Sequence, residues 1–248
     1  MNGPSAPAVR RLEADEVPEA AALLASAFDH DPFNRRLLPD AAERRRVFEL
    51  NGRLQVQAAL PYGHVFVVGE AEALRGIAVW LPPGATPGLS DLAGPLVGAL
   101  PTLVATMPTW VRAAPRLARL AAIAPPAAVR VGLARRRVLR GLRARPLWHL
   151  AFLATDPAHQ GRGIGRRLLD HVLDRVDRDH SDVWLETTDP ANVGLYARFG
   201  FTTLAQVEGG EALPSWWILH RAPQPQDDDA PAAAAQPRAA VGAAIGSS

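Results

Sequence analysis

Three glycines, Gly161, Gly163 and Gly165, fall within five residues of the segment DPAHQGRGIGRRLLD. They follow an apolar run typical of a buried strand and precede a leucine pattern typical of a helix. A strand, a glycine turn and a helix bring unpaired backbone amides and a helix dipole to one point, which suits a phosphate. The loop alone leaves three ligand classes open: a dinucleotide, a nucleoside triphosphate, or another phosphate-bearing molecule.

Two familiar phosphate loops fit this segment poorly. A Walker loop needs a lysine followed by Ser or Thr after its last glycine, whereas Arg166 and Arg167 stand there and the chain contains no lysine. A dinucleotide loop has Gly-x-Gly-x-x-Gly spacing with an acid about 20 residues further on. Here the spacing is Gly-x-Gly-x-Gly, although Glu186 does lie at about that distance. The absent lysine therefore argues against a Walker loop, and the glycine spacing weakens the case for a dinucleotide loop.

A second group of chemistry-bearing residues follows in the segment WLETTDPANVGLYARFGF, Trp184–Phe201. Asn192 and Tyr196 are four residues apart, so they project from one face of a predicted helix. Trp184 and Glu186 share one face of the strand before it. Ionisable groups on a strand and on the helix after it indicate acid–base catalysis, which a dinucleotide domain does not need.

The segment Gln160–Gly165 resembles the acyl-CoA pyrophosphate loop of the GNAT N-acetyltransferase superfamily, and Asn192 to Phe201 resembles that superfamily's second signature. Within it, Ala78–Trp80 and Leu185–Thr187 are similar to puromycin N-acetyltransferase-type small-molecule acetyltransferases. The resemblance implies an α/β fold with a central mixed, largely antiparallel twisted sheet flanked by helices. It also implies a helical insertion between the third and fourth strands.

The resemblance implies a binding site for acetyl-CoA. Loop amides would hold the pyrophosphate, the main chain of a splayed strand would bind pantetheine, and Asn192 would bind the cofactor or an ordered water. The residues expected to bind acetyl-CoA are Phe152, Leu153, Thr155, Gln160, Gly161, Arg162, Gly163, Ile164, Gly165, Arg166 and Asn192.

Two side chains are the catalytic candidates. The resemblance implies that Tyr196 is the general acid that protonates the departing thiolate; the alternative is a buried aromatic with a hydrogen-bonded hydroxyl. Glu186 is the candidate general base, and its alternative is a strand-end glutamate that fixes a loop. Weaker candidates for the base are Asp29, His30, Asp31 and His149. The seven histidines show no metal-ligand spacing, so no metal is expected.

The predicted activity is direct transfer of an acetyl group to the primary amine of a small molecule, antibiotic-like or aminonucleoside-like. The chain has no cysteine, so a thiol-bound acyl intermediate is excluded. Two alternatives remain: acetylation of a protein or peptide amine, and a non-catalytic acyl-CoA-binding regulatory module. A monomer or homodimer is expected.

The predicted catalytic domain spans residues 8–221, between a flexible tail at 1–7 and a disordered Ala/Pro-rich tail at 222–248. Residues 85–145 are interpreted as the helical insertion, a lid over the acceptor site. Residues 94–111 are uncharged, but their short length and prolines argue against a membrane span. The N-terminus lacks the apolar core of a signal peptide, so a cytoplasmic location is expected.

Charge is unevenly distributed along the chain. Residues 92–155 contain ten arginines and no acidic residue, and the remainder is net negative. The basic stretch Arg130–Pro146 can be a solvated helix face, a contact to CoA phosphate, or a surface for nucleic acid or an anionic membrane. It lacks aromatic residues for base stacking, so no nucleic acid partner is expected.

The elements that must position these residues follow from periodicity and turn signals. Strands are predicted over residues 8–12, 64–70, 74–81, 147–155, 182–187, 201–207 and 215–220, and helices over 15–28, 41–60 and 190–199. After the glycines, one face of a further helix is predicted to carry Leu168, Leu169, Val172, Leu173 and Val176. Asp15 is expected to cap the first helix and Asp189 the last.

Overall fold

The computed structural model describes residues 8–31, 34–35, 38–85, 111, 129–142, 144–208 and 214–225. Seven strands form one sheet: β1 (Val9–Arg11), β2 (Val65–Glu70), β3 (Ala73–Leu81), β4 (Leu147–Thr155), β5 (Asp182–Thr187), β6 (Thr202–Val207) and β7 (Trp216–Arg221). Their order is β1-β2-β3-β4-β5-β7-β6, and β4 and β5 are the parallel pair among otherwise antiparallel neighbours. The predicted mixed, largely antiparallel sheet is confirmed.

Helices cover both faces of the sheet. They are α1 (Val17–Phe28), α2 (Ala41–Ala59), α3 (residues 129–141), α4 (Ile164–Arg178) and α5 (Pro190–Ala197). On one face, α1 and α2 pack on apolar side chains of β2 and β3 such as Val67 and Ile77. On the other face, α4 buries the predicted stripe Leu168, Leu169, Val172, Leu173 and Val176.

The start of α1 differs from expectation. A 3-10 turn at Ala14–Glu16 precedes the helix, and the buried carboxylate of Glu16 accepts the Glu13 amide at 2.9 Å. The same carboxylate binds the Arg10 guanidinium at 2.6 Å. The prediction that Asp15 caps α1 is therefore wrong, because the neighbouring Glu16 can satisfy a backbone amide and an arginine at once. Asp189 does cap α5, accepting the Ala191 amide at 2.9 Å.

Strand β4 carries the irregularities that open the sheet. Val79 of β3 pairs with Phe152 and Trp80 with Leu150, so Ala151 is an extra residue in a β-bulge. On its other edge, β4 pairs with β5 up to Leu150 and Leu185. Because β4 continues to Thr155, the two strands part and leave its last residues facing a gap next to the start of α4.

Most of the predicted insertion lies outside the described residues, as do the N-terminal tail and all but the first residues of the C-terminal tail. Of the insertion, residues 129–141 are helical. In the described part of the chain, no helix has the length and apolar character needed to cross a membrane. The uncharged run at 94–110 falls outside that part.

Candidate functional site

The glycine turn ends in a helix start with exposed amides. Gly161 and Gly163 both adopt φ of 74°, the left-handed region that glycine tolerates. A Cβ at either position would meet no described atom within 4 Å, so the requirement is for backbone conformation and not for space. Gly163 is the N-cap of α4 and provides no side chain to cap it. The first amides of α4 are thus available to an anion.

Two other glycines lie where α4 meets the sheet, and one of them is required for the close approach. A Cβ on Gly165 would lie 3.6 Å from Thr155 Oγ1, in ordinary contact. A Cβ on Gly76 of β3 would lie 2.4 Å from Ile164 Cγ2, which is too close for any side chain. Sequence reasoning missed Gly76, although a glycine inside a strand is a known sign of close approach.

The residues before the glycine turn are held by Asp156. Its carboxylate accepts the Ala158 amide at 3.2 Å and lies 2.6 Å from Nδ1 of His159. The hydrogen bond to His159 lowers the pKa of Asp156, helped by the Ala158 amide. This short turn directs Gln160 towards the gap between β4 and β5.

Two cavities meet at that gap. The first, which we name the glycine groove, has a volume of about 720 Å³ and runs along α4 to the turn after α5. The second, the aromatic cleft, has a volume of about 500 Å³ and includes Phe28, Phe152, Tyr196 and Trp216 in its lining. Leu153, Thr155 and Gln160 line both cavities. A ligand could therefore reach from the glycine turn into the aromatic cleft.

Tyr196 and Asn192 both line the aromatic cleft, as their spacing predicts. Tyr196 is only 8% exposed, and its ring packs edge-on against Phe201 with centroids 5.6 Å apart. Burial raises the pKa of Tyr196 to about 12, so the phenol keeps its proton at neutral pH. Asn192 Nδ2 donates to Thr187 Oγ1 at 3.3 Å, which fixes its orientation.

Glu186 also lines the aromatic cleft, but a cation already holds it. Arg135 of α3 donates to both of its carboxylate oxygens, through Nε at 2.9 Å and through Nη2 at 2.6 Å. The Arg135 guanidinium also lies 6.0 Å from the centroid of the Trp184 ring. Sequence reasoning missed Arg135, since no local spacing connects residues 51 positions apart.

His149 stacks on Trp184 with ring centroids 4.0 Å apart and an interplanar angle of 11°. Burial, and to a smaller extent the charge of Arg135, lowers the pKa of His149 to about 4. His149 is not among the described residues that line the aromatic cleft. His149 therefore packs by stacking its ring against Trp184.

The remaining weaker candidates separate into two kinds. Asp29 binds the buried guanidinium of Arg44 at 2.7 Å, and this contact lowers the pKa of Asp29. Arg44 also donates to the Leu38 carbonyl at 2.7 Å, so the pair fixes the chain after α1. His30 and Asp31 line the aromatic cleft.

The residues expected to bind acetyl-CoA are mostly brought together. Leu153, Thr155, Gln160, Gly161, Gly163, Ile164, Gly165 and Arg166 line the glycine groove, and Phe152 and Asn192 line the aromatic cleft. Arg162 is exposed and is not among the described lining residues of either cavity. Arg166 is also exposed and pairs with Asp170 at 3.3 Å. Within the described residues, no group of three or more His, Asp or Glu could hold a metal ion.

Residues 118–201 match the model of the acetyltransferase (GNAT) family. This segment, about a third of the chain, is similar to the GNAT family. The match covers β4, α4, β5 and α5, the elements that build the glycine turn and the gap between β4 and β5.

Curated relatives match over a short segment of the chain. One is the L-methionine sulfoximine/L-methionine sulfone acetyltransferase of Salmonella typhimurium, 39% identical over 54 residues, which are 21% of this chain and 32% of that protein. Another is the [ribosomal protein bS18]-alanine N-acetyltransferase of Escherichia coli, 38% identical over 52 residues, which are 20% of this chain and 35% of that protein. The match thus spans about a third of the length of each relative.

Solved structures share the GNAT fold over nearly the whole chain. Arylalkylamine N-acetyltransferase 2 from Aedes aegypti has a TM-score of 0.53 at 12% identity, covering 87% of this chain and 98% of that one. A structure titled histone acetyltransferase HPA2 and related acetyltransferase, from Corynebacterium glutamicum, has a TM-score of 0.52 at 21% identity, covering 90% and 99%. At these identities the likeness shows the fold alone.

Proposed function

We propose that this chain is an acetyl-CoA-dependent N-acetyltransferase that transfers the acetyl group to the primary amine of a small molecule by direct attack. The observation that carries this proposal is the meeting of the glycine groove and the aromatic cleft at Leu153, Thr155 and Gln160. One side of the junction suits phosphates and the other suits an amine. A thioester held at the junction would lie between the phosphate-binding groove and the amine-binding cleft.

The donor side fits the chemistry of acetyl-CoA. The amides after Gly163 would bind the pyrophosphate, with the positive end of the α4 dipole behind them. Strand β4 parts from β5 after Leu150, so its last residues offer main-chain donors and acceptors to the amides of pantetheine. This arrangement extends the ligand from the helix start towards Tyr196.

The reaction removes two protons from the acceptor nitrogen and delivers one to sulfur. The acceptor ammonium must first lose a proton, for which Glu186 is the proposed acceptor. The free amine nitrogen then attacks the thioester carbonyl, the new C–N bond forms, and the C–S bond breaks. As the amide forms, the nitrogen loses its second proton, which replaces the one that Tyr196 gives to sulfur. Tyr196 is the proposed proton donor to the departing sulfur, and because the chain has no cysteine, no thiol-bound acyl-enzyme is involved.

The high pKa of Tyr196 constrains that last step. A phenol with a pKa of about 12 is a weaker acid than a thiol of ordinary pKa, about 8.5. Full transfer of its proton to such a thiolate would be uphill by about 5 kcal/mol, since one pKa unit corresponds to about 1.4 kcal/mol. Burial in the same cleft also raises the pKa of the thiol, which reduces the pKa difference between Tyr196 and the thiol. Tyr196 is therefore proposed to hydrogen-bond to the sulfur while negative charge develops there, and to give up its proton only as the C–S bond finishes breaking and the proton from the attacking nitrogen replaces it.

The lining of the aromatic cleft supports a small amine with an apolar body. Rings of Phe28, Phe152 and Trp216 supply apolar surface, and the carboxylate of Asp31 supplies negative charge, whereas Arg135 offsets the charge of Glu186. A protonated amine on a planar or apolar scaffold matches both features, through burial of its body and attraction of its charge.

An acceptor screen tests the proposal. The full-length chain is incubated with acetyl-CoA and a panel of aminonucleosides, aminoglycosides and arylalkylamines, and CoA release is followed by thiol titration, with Tyr196→Phe as the matched control. Amine-dependent release that falls sharply in the variant is the expected result. Binding of acetyl-CoA without turnover on any amine would instead identify a non-catalytic acyl-CoA-binding module.

A peptide amine is the second candidate acceptor. It is favoured by one observation, that a matched relative is named for acetylation of an alanine of ribosomal protein bS18. Intact-mass analysis of peptides with free α-amines, run beside the small-molecule panel, separates the two. Acetylated peptides with no small-molecule turnover would replace the first proposal by the second.

A further inference from the structure

A third cavity lies at the far end of β4 and α4 from the glycine turn. It has a volume of about 290 Å³ and includes Arg11, His64, Phe66, Trp148, His171 and Arg175 in its lining. These residues come from β1, the start of β2, the start of β4 and the second half of α4. Along the helix, Arg175 is roughly 16 Å from Ile164, at 1.5 Å per residue. We name this the basic cavity.

Positive charge converges on the basic cavity from two elements. The pKa of His64 is lowered, mainly by burial and then by the charges of Arg175 on α4 and Arg11 on β1. Arg175 has only a weak partner, Asp179 at 3.5 Å, and both side chains are about half exposed. Arg10 also lines the cavity, but Glu16 engages its guanidinium at 2.6 Å. No carboxylate is among the described residues of the lining.

Aromatic surface lies beside this charge. His64 packs edge-on against Trp148 with centroids 4.8 Å apart, and His171 packs against Phe66 at 4.7 Å. Trp148 and Phe66 are buried among the core residues of the α4 face. The cavity thus offers ring surface and cations, with no carboxylate among its described lining residues, which suits a ligand that has both a ring and a negative charge.

We propose that the basic cavity binds a small anion that carries an aromatic ring, at a site separate from that of acetyl-CoA. The groups that face His64 there are Arg10 and Arg11 from β1 and His171 and Arg175 from α4. An anion among them favours protonated His64, whereas the free cavity disfavours it. Binding therefore takes up a proton and becomes tighter as the pH falls from 8 to 5.5.

Benzenesulfonate is the probe for the test, because its charge does not change over this pH range. Binding to the full-length chain is followed by amide chemical shifts in NMR titrations, with sulfate and benzyl alcohol as probes that have only the charge or only the ring. Arg11→Gln and Arg175→Gln remove one cation each. Arg178→Gln is the matched control, since it removes an exposed arginine of α4 that does not line the cavity.

The expected result is saturable binding of benzenesulfonate with shifts at His64, Phe66 and His171, unchanged by saturating acetyl-CoA. Each of Arg11→Gln and Arg175→Gln should weaken it about fivefold, the loss typical of a half-exposed charge contact, and Arg178→Gln should not. Three results overturn the proposal: no saturable binding, displacement by acetyl-CoA, or equal affinity in all three variants. Because none of these measurements needs turnover, they do not depend on the proposed acetyltransferase activity.

Discussion

Replacing Arg135 and Glu186 singly and together separates two roles that Glu186 can have in the aromatic cleft. In the first role Glu186 accepts the proton of the acceptor ammonium. In the second it only anchors α3, through the two hydrogen bonds at 2.9 and 2.6 Å that it accepts from Arg135. The two roles predict different effects of Glu186→Gln once Arg135 has already been removed.

The structure sets the size of the anchoring effect. The side chains of Arg135 and Glu186 are 44% and 17% exposed, so water screens the pair even though its geometry is bidentate. Such a pair contributes about 1 kcal/mol to stability, and the contact with Trp184 adds about 0.5 kcal/mol. Loss of a general base, by contrast, lowers the rate by a factor of about 100 or more. The two effects are far enough apart to be distinguished.

We expect Arg135→Gln to lower kcat/KM for the acceptor by no more than about tenfold, the largest change that the loss of about 1.5 kcal/mol can cause. Glu186→Gln should lower kcat about 100-fold in the wild-type background and again in the Arg135→Gln background. CoA release measures kcat, and urea unfolding of the single and double variants measures the coupling free energy between Arg135 and Glu186. Arg137→Gln, on the exposed face of α3, is the control variant. If the double variant is no slower than Arg135→Gln alone, Glu186 is an anchor and the base must be another group.

Four further predictions concern single residues. Tyr196→Phe should lower kcat without weakening acetyl-CoA binding, and the wild-type rate should show no alkaline loss from Tyr196 below about pH 11, since its pKa is raised to about 12. Gly163→Ala should destabilise the chain by about 1 kcal/mol in urea unfolding and weaken acetyl-CoA binding in calorimetry, because its φ of 74° is costly for alanine. Asp177→Asn should lower the free energy of unfolding by about 3 kcal/mol, because it breaks the buried ion pair with Arg221 of β7, whose N–O distance is 2.6 Å. Asp179→Asn, at an exposed position, should change the free energy of unfolding little. The pKa of His149 is lowered to about 4 in the folded chain, so between pH 6.5 and 4 the unfolded chain binds more protons at this residue. The free energy of unfolding should therefore fall as the pH drops from 6.5 towards 4. His149→Gln should reduce this pH dependence, as measured by urea unfolding at several pH values.

The parts of the site that local patterns dictate could be predicted from the sequence. Left-handed glycines, a leucine stripe with helical spacing and an Asp-Pro helix start are each determined by residues a few positions apart, and the structure has the turn, α4 and α5 where these patterns place them. Tyr196 and Asn192 reach the same cleft for the same reason, since four residues make about one helical turn. Their catalytic and binding roles stay predictions.

Contacts between distant segments could not be predicted in this way. Arg135 meets Glu186 across 51 residues, and Arg221 meets Asp177 across 44, because the sheet brings together strands whose order along the chain says nothing about their neighbours. The final strand also inserts between β5 and β6, a topology that alternation of apolar residues does not encode. Each of these contacts changes the chemistry of the site or its support, and each depends on tertiary structure alone.

The same distinction explains why the donor can be inferred more firmly than the acceptor. The family match spans residues 118–201 and so contains the glycine turn and the parting of β4 from β5, where backbone conformation makes the contacts. Phe28 and Asp31 precede this segment and Trp216 follows it, yet all three line the aromatic cleft. Proteins that share only this segment can therefore share its backbone conformation and still differ in the side chains of the cleft. The identity of the acceptor depends on side chains contributed from outside the segment, so the paired rings and carboxylates of the cleft are the features on which an acceptor screen should be designed.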